Sequence, residues 1–390
     1  MSEAAAGEAA PGSVLIVGAG IVGLSTAWAL CRRGRPVTVL ERGTVPNPIA
    51  SSADHHRLIR ASYPTNPGYG ARIGEAFAAW RRQWADLAAG GGGPESRYYA
   101  ARGMLTLSQR AGDYGDRTRA QFEELGIAYE PFDSAAALAE RFPFLETGNV
   151  AAGVLSEGGA LMANRILTDL ADWLRRNGVV LLERSPAVAI DRAAGTVTLA
   201  DGRVLAAETV LATAGAGMPG LLPEIEGTLR YRRTLSLYVE PPDALAEAWA
   251  QAPCWSYLGG EGDLWGMPPM DGLPAKLGCG AMGRVDPDDT DRTPTPDEVA
   301  QIFAHYRSRL RGIEDFTLRF SQANYWMLAP EHRFFVRREG RLVIASACSG
   351  HGFKFGALSG EDLADAVTGA APFEAVVSRM EGRSPEPTAA

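Results

Sequence analysis

The sequence predicts a two-domain chain of α/β (α+β) class: a Rossmann-like domain, and a discontinuous second domain built on a mostly antiparallel sheet. Three observations predict it. A short apolar run, Val14 to Val17, passes through Gly18, Gly20 and Gly23 into an Ala-rich apolar segment and a second apolar run. Mid-chain, short β-like runs alternate with turn residues. Near the C-terminus a buried run, Leu342 to Ala347, enters the glycine-rich octapeptide SGHGFKFG and a closing helical pattern.

The first unit carries the clearest chemistry. Val14 to Val17 reads as a buried strand, Ile21 to Arg33 as a helix ended by Gly34, and Val37 to Leu40 as a second strand running into Glu41. In G-x-G-x-x-G spacing, Gly18 permits the tight turn, Gly20 lets a pyrophosphate approach the backbone, and Gly23 lets helix and strand pack closely. Phosphates would sit on the helix N-terminus, and Glu41 would accept hydrogen bonds from a ribose diol. The spacing alone is weak, and it recurs at Gly215, Gly217 and Gly220 and at Gly278, Gly280 and Gly283. There, prolines close behind disfavour a long helix. Only the first match has a strand before it, a helix after it and an acid at the next strand's end.

The remaining elements follow in order. PNPIASSADHHRLIR, Pro46 to Arg60, reads as a polar loop with His55, His56, Arg57 and Arg60 at its end; a solvated loop and an anion site are equally good readings. Gly70 to Ala88 reads as a helix with Ile73, Phe77, Trp80 and Trp84 on one face, and Gly90 to Gly93 as a linker. Met104 to Leu107 and Asp116 to Leu125 read as strand and helix. Asn164 to Arg176 is a further helix, closed by Asn177-Gly178. Strands are expected at Val179 to Leu182, Ala187 to Asp191, Thr196 to Leu199, Val204 to Ala206 and Thr209 to Ala212, with Asp201-Gly202 as a hairpin turn. Leu229 to Val239 alternates, which suggests that Arg230, Arg232 and Arg233 lie on a solvated sheet face. Short strands at Leu264 to Met267 and Ala275 to Gly278 precede helices at Asp297 to Leu310 and Leu358 to Thr368.

Composition narrows the class. The chain has 390 residues, 46% hydrophobic and 22% charged, which suits a soluble globular protein with a sizeable core. A net charge of −8 makes nucleic acid an unexpected partner. No apolar run is long enough to span a bilayer, and the acidic start MSEAAAGEAAPG lacks the pattern of a signal peptide, so a cytoplasmic protein is expected. The four cysteines, Cys31, Cys254, Cys279 and Cys348, form no C-x-x-C pair, and no metal site is expected.

The N-terminal fingerprint, SSADHHRLIR, AKLG and SGHGFKFG (Ser349 to Gly356) stand in the order that they have in the monomeric sarcosine oxidase and N-methyltryptophan oxidase family, and the chain resembles that family over nearly its whole length. The resemblance implies an FAD-dependent amine oxidase with a fold like that of D-amino-acid oxidase. It places a discontinuous FAD-binding domain at residues 12–90, 148–220 and 325–372, a substrate domain at 91–147 and 221–324, and disordered tails at 1–11 and 375–390. Arg60 and Lys354 resemble the pair that binds a substrate carboxylate, Arg57 a basic residue near the flavin ring, Lys276 the lysine where dioxygen is reduced, and His351 the active-site histidine. Flavin contacts are implied for Gly18, Gly20, Gly23, Glu41, Arg42, Ser51, Ser52, Gly215, Gly350, Gly352, Phe353 and Lys354.

Three departures from the family pattern stand out. The usual flavin-linking cysteine falls near Ala323, so FAD is expected to be held non-covalently. Trp265 stands at an aromatic substrate-site position where tyrosine is usual. Gly280 replaces a histidine, which implies room for a substrate bulkier than sarcosine. The implied reaction is oxidation of an amino acid or N-substituted amino acid to an imine, with dioxygen reduced to hydrogen peroxide. The alternatives are an FAD-dependent amine dehydrogenase with another acceptor, a nicotinamide-dependent dehydrogenase, and a catalytically silent flavin-binding subunit. A flavin hydroxylase is disfavoured, because no Gly-Asp motif precedes the last helix.

Overall fold

The computed structural model describes residues 9–259, 263–280 and 292–383. Strand β1 (Val14–Val17), helix α1 (Ile21–Cys31) and strand β2 (Val37–Leu40) form the expected βαβ unit. Helix α1 stops two residues earlier than expected, and a turn through Arg33 and Gly34 leads into β2.

Strands β1 and β2 lie inside a six-stranded sheet assembled from distant segments. Its order is Phe335–Glu339, Leu342–Ser346, Thr209–Ala212, β1, β2 and Val180–Leu182. All neighbours are parallel except the first pair, an antiparallel hairpin. Both faces are covered, which is why its inner strands, such as Val14–Val17 and Leu342–Ser346, are near-continuously apolar rather than alternating. Ile16, Val39, Leu211 and Val343 face a helical layer containing Leu24, Trp28 and Leu170. Leu15, Val17, Val210 and Ile344 face a small antiparallel sheet, Ala187–Asp191, Thr196–Leu199 and Val204–Ala206, through Val197 and Leu199. Alternation of side chains along each strand produces this division.

Helix α1 packs most closely on the late helix Gly356–Thr368. A Cβ added at Gly360 would lie 2.5 Å from the Ser25 carbonyl carbon, so glycine sets the spacing of the two helices. Trp28 is fully buried beside this contact, and removing a core side chain of that size costs roughly 3–5 kcal/mol.

The second large sheet has eight strands in the order Thr317–Leu328, Arg230–Glu240, Ala275–Cys279, Leu264–Met267, Cys254–Tyr257, Met104–Ser108, Ala152–Ser156 and Tyr129–Phe132. It is antiparallel except between Cys254–Tyr257 and Met104–Ser108. A three-stranded sheet, β3 (Arg57–Arg60) with Gly158–Leu161 and Tyr99–Ala100, stands beside it.

Several expectations need correction. Arg57–Arg60 is a strand rather than the end of a loop. The helix expected over Gly70 to Ala88 is two, Pro67–Ala71 and Ile73–Ala89, divided at Arg72, whose guanidinium bonds Glu75 and Asp362. The helix expected to reach Leu310 ends at Tyr306. Arg233 is not solvated: it is 4% exposed and paired at 2.5 Å with Glu298. Ala152–Ser156, expected within the first domain, pairs in the eight-stranded sheet, and Thr317–Leu328 runs past the boundary expected at 324. The tail expected from 375 is helical over Phe373–Met380, which buries Val376 and Met380 against the first core. Gly283 lies outside the described residues. Among the described residues no helix is long and apolar enough to cross a membrane, and no cluster of candidate metal ligands occurs.

Candidate active site

The βαβ unit opens onto a cavity of about 910 Å³ that extends to the eight-stranded sheet. At one end Gly18 adopts φ +108°, and a Cβ there would lie 2.7 Å from the Thr213 carbonyl oxygen. Glycine is therefore required on both steric and torsional grounds. A Cβ at Gly23 would lie 2.0 Å from the Gly18 carbonyl oxygen, so this residue packs helix on strand and does not line the cavity. Gly20 lines it and starts α1, whose first turn contains no acidic residue. The Ile21 N–H donates to the Ser52 hydroxyl at 3.0 Å. The positive end of α1 thus faces the cavity. Glu41 accepts from the Ala19 and Gly43 N–H groups, each at 3.0 Å, and from the Asn47 amide at 2.8 Å. Arg42, Ser51, Gly215, Gly350, Gly352 and Phe353 also line the wall.

At the other end, charged groups gather from distant segments. Asp54, with no exposed side-chain surface, is bonded by Lys276 and Tyr238 and paired at 2.6 Å with Arg57. Burial alone would raise its pKa, but Lys276 and Arg57 together outweigh that and hold the carboxyl well below its ordinary range. Lys276 also donates to the His56 carbonyl at 3.2 Å and lies 5.6 Å from the centre of the Trp265 ring. Burial pushes its ammonium down to about 8 against the pull of Asp54. Asp54, Lys276 and Arg57 together leave one positive charge on this wall.

Arg60 and Lys354 form a second cationic corner. Arg60 lies 4.7 Å from the Tyr63 ring centre, and one of its nitrogens donates to Ser62 and Tyr114. Lys354 is 9% exposed, and its ammonium has no hydrogen-bond partner among the described residues. Burial, with Arg60 and Arg57 nearby, pushes it down to about 7. Two cations at one cavity wall make a site for an anion.

His351 is engaged with the protein. Its Nε2 lies 2.9 Å from the His332 carbonyl, Phe334 stacks on it at 4.7 Å, and Tyr69 meets it edge-on at 4.5 Å. Burial lowers it to about 3, so the ring is neutral. Trp265 and Gly280 line the cavity near Asp263, a residue that the sequence reading did not single out. A Cβ at Gly280 would lie 3.0 Å from the Asp263 Cβ and 3.3 Å from its Oδ2, so the room that glycine leaves is shared with that carboxylate. Asp54 was also missed. Its signal was a lone acid inside a basic loop, but its partner Lys276 is 222 residues away. Of the four cysteines, only Cys348 reaches the cavity. The place expected for a flavin link, Ala323, does not.

Comparison with known proteins gives four findings. A family model described as FAD dependent oxidoreductase matches residues 13–366. The human peroxisomal sarcosine oxidase is 24% identical over 362 residues, 90% of each chain. The N-methyl-L-tryptophan oxidase of Yersinia pestis is 24% identical over 357 residues, 89% of this chain and 92% of the relative. Among solved structures, L-proline dehydrogenase from P. horikoshii superposes with a TM-score of 0.78 at 17% identity, covering 94% of this chain and 95% of that one, which shows a shared fold.

Proposed function

The chain belongs to the FAD-dependent oxidoreductase family, and from that premise we propose that it oxidises an amino acid or N-substituted amino acid to an imine, with dioxygen reduced to hydrogen peroxide. The observation that carries the proposal is the convergence of Arg60 and Lys354 on the cavity that the glycine loop opens into. Activities of the same kind are named for the human and Yersinia relatives.

The cavity fits FAD. Gly18, Gly20 and the start of α1 would hold the pyrophosphate, Glu41 the adenosine ribose, and Ser51, Ser52, Arg42 and the segment Gly350 to Lys354 the remainder. Bound FAD would supply the two-electron acceptor for the amine. The protein's own residues bind and orient. Arg60 presents to a carboxylate an edge of its planar fork that is unoccupied among the described residues, and Lys354 adds a compact charge. Trp265 supplies an apolar wall for the rest of the substrate. The net positive charge of Lys276, Arg57 and Asp54 would favour the negative charge that develops as dioxygen is reduced. The neutral His351 holds the glycine-rich segment through the His332 carbonyl and does not donate charge. Water hydrolyses the released imine.

Arg60→Ala and Lys354→Ala should each raise KM for a carboxylate substrate by about tenfold or more, as loss of a charge-assisted hydrogen bond predicts. Wild-type KM values in both variants would reject the assignment. One observation favours a second reading, oxidation with an acceptor other than oxygen: Asp54 offsets the charge of Lys276. Peroxide formed in proportion to amine consumed would exclude it.

A further inference from the structure

Among the described residues, the corner formed by Arg60 and Lys354 contains one acidic group. Asp263 lines the same cavity and is exposed to solvent there. Only its backbone is bonded: its carbonyl accepts from the Gly280 N–H at 3.0 Å, and its carboxylate accepts from no donor among the described residues. The side chains nearest to it in charge are Arg60 and Lys354. Gly280 leaves the carboxylate its room, since a Cβ there would lie 3.3 Å from its Oδ2.

Resting on the proposed amino acid oxidase reading, we propose that Asp263 determines specificity. It would select amino acids that carry a further cation or hydrogen-bond donor besides the anchored carboxylate, and reject those with a second carboxylate. When a ligand carboxylate takes Arg60 and Lys354, Asp263 loses both cations as partners and becomes the charge in the corner without one. A donor or cation on the ligand then satisfies it, whereas a second carboxylate meets a like charge on the cavity wall. Discrimination by repulsion as well as attraction is how specific sites separate close relatives.

The test uses three four-carbon probes with the purified holoprotein: butyrate, 4-aminobutyrate and succinate, with affinities from titration calorimetry. Wild-type protein should bind 4-aminobutyrate most tightly and succinate about tenfold or more weaker. In Asp263→Asn the spread should collapse, mainly through tighter succinate binding. Equal binding of succinate and 4-aminobutyrate by the wild-type protein would overturn the proposal. So would an Asp263→Asn variant that shifts all three by one common factor. The wild-type ranking decides even if the variant does not fold. Arg60→Ala separates the two levels of the argument. If it leaves all three affinities unchanged, the carboxylate site itself is wrong; if it weakens all three while Asp263→Asn leaves the ranking intact, only the role of Asp263 fails.

Discussion

Lys354 is a buried lysine whose ammonium has no hydrogen-bond partner among the described residues, and burial near two arginines places its pKa at about 7, far below the ordinary value. The protonated form is the one that binds a carboxylate. Its charge is therefore present below about pH 7 and is lost as pH rises through that value. For a carboxylate substrate, kcat/KM, which reports the free protein, should fall above about pH 7 toward the level of Lys354→Met, and that variant should lack this limb. In kcat the limb should move to higher pH, because a bound carboxylate stabilises the ammonium. A profile identical in wild type and variant would remove Lys354 from the site. At this scale the sequence was informative wherever a residue's role is local. Gly18, Gly20 and Gly23 announce themselves by spacing. Asp54 and Asp263 do not, because each gains its meaning from Lys276, Arg60 or Lys354, far away along the chain.

At the level of elements, the contact between α1 and Gly356–Thr368 joins the start of the nucleotide domain to its end. It depends on glycine, since a larger residue at 360 would press on the Ser25 backbone, which cannot yield as a flexible side chain can. Gly360→Val should lower stability by about 1–3 kcal/mol or more. Urea unfolding would measure it, and an unchanged midpoint would show that the two helices can separate without loss. Elements with a strong local pattern, such as β1, α1 and β2, were legible. Arg57–Arg60 was not, because its charged ends face the cavity while Leu58 and Ile59 are buried, which gives no alternation. Thr317–Leu328 escaped notice because its first four residues are exposed and only later ones enter the core.

Across the whole molecule, the expected pairing of a Rossmann-like sheet with a mostly antiparallel one holds, and the discontinuity follows from the order of the first sheet, which mixes strands near residues 14, 37, 180, 210 and 342. The domain limits were harder to place, because strands such as Ala152–Ser156 differ from their neighbours only in which sheet they join. That choice is made by tertiary pairing, which local pattern does not encode. The same view bears on how FAD is held. With alanine at 323, acid precipitation should release flavin absorbance into the supernatant. Flavin retained in the pellet would point to Cys348, the cysteine on the cavity wall, and Cys348→Ser should then release it.

The interleaved sheet also has a consequence for synthesis. A ribosome makes the glycine loop well before the segment Ser349 to Lys354, although both line one cavity. Domains that are contiguous in sequence can fold as they emerge. Here the nucleotide domain lacks two central neighbours, Thr209–Ala212 and Leu342–Ser346, until most of the chain has been made. The nascent protein must therefore hold the edge of Val14–Val17 open to water, or in the care of chaperones, until Thr209–Ala212 is made, and it can complete its flavin site only after Ser349 to Lys354 has emerged.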